Sequence, residues 1–248
     1  MSPDSLPASD ENLQASLRAL AELATGQLQL EDSLTKVAHL AVEAIPGADG
    51  AGLTLLENGR SDTIVATADF VAEVDRIQYS LGQGPCISAA ATAQTVHSDS
   101  LGGEPRWPKF GSQVARLGVH SVLSLPLVTP DRVLGAMNIY AREKRAFDER
   151  ALLIGELFAA PAAIAVQNAQ VLAQTRRLAA DLQAALESRS IIDRAVGIMM
   201  SRSGGTESEA LERLRRMSQN ERRRLSEVAA SLVDEAVRRA NAQNREKT

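Results

Sequence analysis

The sequence predicts an α+β protein: an N-terminal antiparallel sheet flanked by helices, then a long coiled-coil helix, then a C-terminal three-helix bundle. Three observations predict it. Between residues 50 and 140, glycine-bounded apolar strands are separated by short helical stretches. From Ala151 to about Arg202 almost nothing stops a helix except Pro161 and Ser188-Arg189-Ser190. After that, two further helical patterns are set off by strong stop and cap signals. A length of 248 residues suits two compact domains.

Each element has its own warrant. Leu13, Leu17, Leu20 and Leu23 recur at helical steps, as do Leu34, Val37, Ala38, Ala41, Val42 and Ile45, and PGADG (46–50) ends the second helix. AGLTLL (51–56) and TIVATA (63–68) read as two strands of a hairpin, with Asn58-Gly59 as the turn signal. SLGQGPC (80–86) is a glycine-marked loop before an alanine-rich helix, 87–92. GVHSVLSLPL (118–127) and VLGAMNIY (133–140) are two strong strands joined through 128–131. Asp148 is the expected N-cap of the long helix. Within that helix Val171, Leu178, Ala185 and Ile192 repeat every seven residues, and Thr175, Leu182, Arg189 and Val196 follow four behind. This is a coiled-coil seam weakened by Thr175 and Arg189. One amphipathic helix on a monomer would show the same spacing; the lack of a partner helix nearby favours self-association. Ser203-Gly204-Gly205 ends the helix, Thr206 and Glu209 form a capping box, and Asn220 is the expected cap of the last helix.

Composition narrows the function classes. A single cysteine, Cys86, excludes a disulfide framework within the chain and a Cys-based zinc site. Three histidines at unrelated spacings give no metal site, so no metal or other identifiable cofactor is expected. The longest apolar run, 157–166, is broken by Pro161, and the N-terminus is acidic and polar. The expectation is therefore a chain with no membrane span and no signal peptide, in the reducing cytoplasm. Charge is uneven: residues 1–169 carry 12 Lys+Arg and 20 Asp+Glu, whereas residues 170–248 carry 15 and 11. A basic rear suits an anionic partner, although on charge alone a solvated Arg-rich helical surface is the simpler reading.

The segment 188–236 resembles an ANTAR domain, a small three-helix RNA-binding module of bacterial transcription antiterminators that follows a coiled coil. The residues that carry the resemblance are Ile192-Asp193-Arg194-Ala195, Gly197-Ile198-Met199-Met200, the Ser-Gly-Gly break, Glu209-Ala210-Leu211, Leu214-Arg215, Arg216-Met217-Ser218 and Leu225, Val228 and Ala229. Val196 stands where the family often has Lys, and Ser218 where Ala is common. Residues 13–169 resemble a GAF domain, a small-molecule sensor module, through GQGPC, the LPL and GAMNIYA strands and the helix FDERALLIGELFAAPAAIAVQNA. The whole chain is similar to the GAF–ANTAR regulators of actinobacteria. The implied organisation is a disordered segment 1–12, a sensor 13–169, a coiled-coil linker 170–187, an RNA-binding domain 188–239 and a frayed tail 240–248. The resemblance implies a regulator that binds a transcript hairpin competing with a terminator.

The candidate residues follow. Arg215, Arg216, Arg222, Arg223 and Arg224 put five guanidiniums into ten residues, and planar forked donors suit phosphates and splayed bases. With Arg194, Gly197, Arg202, Ser218 and Asn220 they make the expected RNA-binding set. Gly197 in mid-helix implies close helix packing or close approach of RNA, with packing slightly the better account. The expected dimer seam is Val171, Leu178, Leu182, Ala185 and Ile192. A small molecule, as yet unidentified, would sit near Leu53, Cys86, Phe110, Val122, Leu125 and Met137. GQGPC lacks the Lys-Ser/Thr of a phosphate-cradling loop, and His97-Ser98-Asp99 are too close in sequence to converge as a catalytic trio, so no catalytic residue is expected. Partners are RNA hairpins, a second copy, and a ligand or signalling protein at the sensor. The alternatives are a DNA-binding regulator and a sensor-gated subunit of a signalling enzyme.

Overall fold

The computed structural model describes residues 8–26, 28–57 and 60–245. It divides into two compact units, one ending at Ala173 and the other beginning at Gln174. The first contains α1 (Ala8–Thr25), α2 (Leu30–Ala44), β1 (Gly50–Glu57), β2 (Arg60–Ala66), α3 (Asp69–Leu81), α4 (Pro85–Thr92), β3 (Val96–Ser98), α5 (Pro108–Arg116), β4 (Ser121–Val128), β5 (Val133–Ala141) and the first part of α6 (Glu149–Ser203). The strands form one antiparallel sheet in the order β2-β1-β5-β4-β3.

Strand alternation gives this sheet two different faces. On one face the cross-strand rows are Leu123, Ile139 and Ala51, then Leu125, Met137 and Leu53. These join Leu34, Val37 and Ala41 of α2 and Ile154, Phe158 and Ala162 of α6 in the larger core. On the other face the rows are Val122, Tyr140 and Gly50, then Ser124, Asn138 and Gly52. Here α3, α4 and α5 cover the sheet, and Val71, Val74, Trp107, Phe110 and Val114 form a second, smaller core. The two glycines of β1 let α3 lie close. A Cβ on Gly50 would stand 2.7 Å from Val71, and one on Gly52 2.3 Å from the Asp75 carboxylate.

The local signals explain most boundaries. Asp148 accepts the Ala151 N–H at 2.8 Å, so α6 is capped as the sequence predicts. Gly82 closes α3 in the left-handed region, and Pro85 opens α4 with its fixed φ and missing N–H. The Asn58-Gly59 turn lies outside the described residues. Helix α6 runs through Pro161 and Ser188-Arg189-Ser190 without a break. The stretch of α6 that meets the length and composition of a membrane span, with a mean hydropathy of 1.4, is half buried. Averaging over the helix thus reveals what the interrupted run 157–166 concealed, and the burial is that of a core helix.

The second unit holds the rest of α6, α7 (Glu207–Glu221) and α8 (Leu225–Arg245). Thr206 and Glu209 cap α7 reciprocally at 2.9 and 3.3 Å. Ala195, Val196, Ala210, Leu214, Val228 and Ala229 make the core of this bundle. Three expectations are corrected. Asn220 lies inside α7 rather than capping α8; α7 ends at Arg222, whose φ of +53° reverses the chain. Residues 8–12, expected to be disordered, are the first turns of α1. Residues 240–245, expected to fray, continue α8.

Candidate functional site

The six expected pocket residues do not share one cavity. Leu53, Leu125 and Met137 fill the core under α2 and α6. Phe110 and Val122 belong to the opposite face, and Cys86 packs there with Ala89 and Ala136. A period of two separates Leu125 from Val122 by orientation, however close they lie in sequence.

That opposite face carries a buried polar cluster which the sequence reading does not single out. Asp75 of α3 is wholly buried. Its Oδ1 accepts from the Tyr140 hydroxyl at 2.7 Å and from the Asn138 amide at 3.3 Å. The Ser124 hydroxyl donates to Asn138 Oδ1 at 2.6 Å. One turn along α3, Gln78 Oε1 accepts the Cys86 N–H at 3.0 Å, tying α4 to α3. The Tyr79 hydroxyl donates to Thr54 at 2.7 Å and lies 3.1 Å from Cys86 Sγ. Asp75 Oδ2 and Gln78 Nε2 have no hydrogen-bond partner among the described residues. Both are fully buried, and both lie on one face of α3.

Burial without a cation sets the electrostatics. It raises the Asp75 carboxyl to about 7, against the opposing pull of its Tyr140 and Asn138 bonds. The Cys86 thiol is raised to about 11, again chiefly by burial, so it is protonated and inert as a nucleophile at neutral pH. Elsewhere Arg106 holds Glu104 down at about 2 and stacks 4.5 Å from the Trp107 ring, whose indole N–H bonds Ser88. Among the described residues no three His, Cys, Asp or Glu side chains gather where they could hold a metal.

In the second unit the arginines divide into two kinds. Arg223 is committed to the α7–α8 turn: its guanidinium bonds Glu221, the Glu227 carbonyl and Ser231 at 3.0, 3.3 and 2.9 Å. Its carbonyl also accepts the Ser218 hydroxyl at 2.6 Å. Ser218 is thus half-buried and structural. Arg215, Arg216, Arg222, Arg224 and Arg202 are exposed and form no ion pair among the described residues. Helical spacing lines up Arg215 with Gln219 in one stripe and Arg216 with Asn220 in the next, and Arg222 follows at the left-handed cap. Arg194 turns its Nε back onto the Ser190 carbonyl at 3.2 Å. Gly197 faces open space, with nothing within 4 Å of a built Cβ, so close helix packing does not account for it. Arg213, not singled out from sequence, bonds Ser203 at 3.0 Å and ties α7 to the end of α6.

The expected seam also divides. Val171, Leu178, Leu182 and Ala185 are exposed, whereas Ile192 packs on the bundle core beside Val196.

Comparison with protein families finds a GAF domain over residues 27–167 and an ANTAR domain over residues 180–233. No curated protein matches the chain. Among solved structures, the GAF domain of a phosphoenolpyruvate-protein phosphotransferase from Coxiella burnetii is similar at 18% identity. It covers 65% of this chain and 96% of its own, with a TM-score of 0.47. A putative GAF sensor protein from Burkholderia vietnamiensis matches at 16%, covering 71% and 99%, with a TM-score of 0.46. A free methionine-R-sulfoxide reductase from Neisseria meningitidis matches at 16%, covering 71% and 98%, with a TM-score of 0.48.

Proposed function

The chain belongs to the GAF domain family and carries an ANTAR domain behind it, the make-up of a sensor-coupled RNA-binding antitermination regulator, and from that premise we propose that its arginine surface binds hairpins in nascent transcripts. The observation that carries this reading is the exposed, unpaired set Arg215, Arg216, Arg222 and Arg224 around the end of α7. Guanidiniums with no partner among the described residues are available for phosphates, and their planes substitute for the aromatic rings this unit lacks. Gly197, facing open space, lets a backbone or base come close. Regulation rather than catalysis is the corresponding reading of the sensor, whose one thiol, Cys86, is held protonated by burial and is no nucleophile at neutral pH.

The sensor's small molecule would be read by Asp75 Oδ2 and Gln78 Nε2, two of the four buried side-chain atoms without a partner among the described residues. A ligand offering an N–H to the first and an acceptor to the second would satisfy both. The chain is read as a homodimer through exposed positions of α6. The deciding experiment compares binding of a hairpin RNA and of duplex DNA of matching sequence to the full chain at one stated salt concentration. Tighter hairpin binding is the expected result. Preference for the duplex would make the chain a DNA-binding regulator, and binding to neither would move it to the signalling-subunit class.

A further inference from the structure

We propose that the projecting end of α8 is a second RNA-binding site, in which Arg238, Asn241 and Arg245 hold the backbone of a hairpin's stem. This deepens the reading of the chain as an RNA-binding regulator and rests on it. The site lies outside the ANTAR match, which ends at residue 233, whereas α8 continues to Arg245. The apolar residues that seat α8 on the bundle run from Leu225 to Val233. Beyond Ala236, every residue from Val237 to Ala242 is exposed, and so is Arg245. A helical end with no buried residue among those described gains nothing from packing, and a short run of this kind is marginal in water by itself. Its composition points outward. Residues 237–245 contain three Arg, two Asn and one Gln, and no Asp or Glu.

Helical spacing makes one site of these residues. Arg238, Asn241, Ala242 and Arg245 fall on one face of α8 and line a groove of about 500 Å³. Neither Arg238 nor Arg245 forms an ion pair among the described residues, and Asp234, one turn before Arg238, does not reach it. Arg239, on the next face, is bonded to Glu235 instead. The groove thus presents two guanidiniums about 10.5 Å apart along the helix, with the Asn241 amide between them. At that spacing they meet separate phosphates, and the amide can bond a phosphate oxygen or a ribose 2′-hydroxyl. Continuity with the first basic surface favours RNA as the occupant. Arg224, Ser231, Arg238 and Arg245 fall at seven-residue steps, which drift by only about 20° each, so the groove lies on the side of α8 that begins at Arg224. Arg224 and Arg238 are about 21 Å apart along the helix, so a ligand held by both must be as long as an extended stem.

The test measures RNA affinity of the full chain over a range of salt. Two hairpins share a loop, one on a long stem and one on a stem cut too short to span that distance. Arg238→Gln with Arg245→Gln should weaken long-stem binding roughly tenfold and lower the slope of log affinity against log salt by about 2, one for each lost phosphate contact. Gln matches Arg in helix propensity, so helix content should not change. The same variant should lose little on the short-stem RNA. Arg238→Lys with Arg245→Lys should keep the wild-type slope, because a phosphate contact needs the charge. A Gln variant that binds the long-stem RNA with wild-type affinity and slope overturns the site and leaves the α7–α8 arginine surface standing. So does an equal loss on both RNAs, which would mean that the helix end acts by bulk charge and not by contact. A larger loss on duplex DNA than on the long-stem RNA would overturn the assignment in favour of DNA. A wild type that binds neither hairpin overturns this site and the RNA reading together.

Discussion

At Asp75 the sensor tolerates an interaction that an optimised core would not contain. A wholly buried carboxyl with one unpartnered oxygen favours its neutral form, and its rise from 3.8 to about 7 records that preference. The folded state therefore binds the proton more tightly than the unfolded state. Its contribution to stability is largest below about pH 4, falls as pH rises toward 7, and is flat above. The full span corresponds to on the order of 4 kcal/mol. Asp75→Asn keeps an oxygen for the Tyr140 and Asn138 donors and removes the titration. The variant should be more stable than wild type at pH 8, with the difference shrinking toward pH 4, in urea titrations of the full chain. A difference independent of pH would mean that folding does not shift the Asp75 carboxyl from its usual range. The arginines admit an equally sharp division. Arg215→Ala with Arg222→Ala should lower hairpin affinity and reduce the slope of log affinity against log salt by about 2, with no change in melting. Arg223→Ala should instead cost roughly 1 kcal/mol of stability, because it removes the guanidinium bonds to Glu221, the Glu227 carbonyl and Ser231 that hold the α7–α8 turn. A double variant with an unchanged salt slope would move the RNA contact off this surface.

Among the elements, the two long strands and the long helix were legible, whereas α3 and α5 were not. The strands 121–128 and 133–141 and the helix beginning after Asp148 follow directly from period-two and 3.6-residue spacing. Helix α3 (69–81) was not read from the sequence although Phe70, Val71, Val74, Ile77 and Leu81 recur at helical steps in it. What that spacing does not reveal is that Asp75 and Gln78 lie on the same buried face as Val71 and Val74. The remaining signal lay in the sheet, where Ser124, Asn138 and Tyr140 interrupt strongly apolar strands and point the same way. The split of the expected pocket residues is the same lesson in reverse, since sequence lists apolar walls without saying which face each takes. In the output unit, Gly197 gives an element-scale test. With nothing near its Cβ, Gly197→Ala should stabilise α6 by about 0.5–1 kcal/mol. If RNA approaches the helix there, the same change should weaken hairpin binding. A gain in stability with unchanged affinity would remove Gly197 from the RNA surface.

At the scale of the whole molecule, α6 is the one helix that contributes to both cores: Phe158 and Ala162 to the sensor, Ala195 and Val196 to the output bundle. Between Gln174 and Ser190 every residue but Arg176 and Ser188 is exposed. A 17-residue helix with so little burial is marginal in water on its own, and the proposed homodimer would supply the missing burial from a second copy. The pairing surface is not uniform, because Thr175 and Arg189 place polar groups at seam positions. Such interruptions lower the stability of a paired coil and bring alternative packings close in free energy. A few kcal/mol from a ligand on the sensor is then enough to shift the balance, provided it binds the two packings unequally. Thr175→Leu with Arg189→Leu should remove the interruptions and hold one packing, so that hairpin affinity no longer responds to anything acting on the sensor. The measurement is hairpin affinity of wild type and the double variant, with a panel of free nucleobases as sensor probes chosen for their adjacent N–H and acceptor groups. Wild type should change affinity with a probe that binds and the variant should not, while both still bind the probe. An equal response in the two proteins would show that the signal does not pass through the seam.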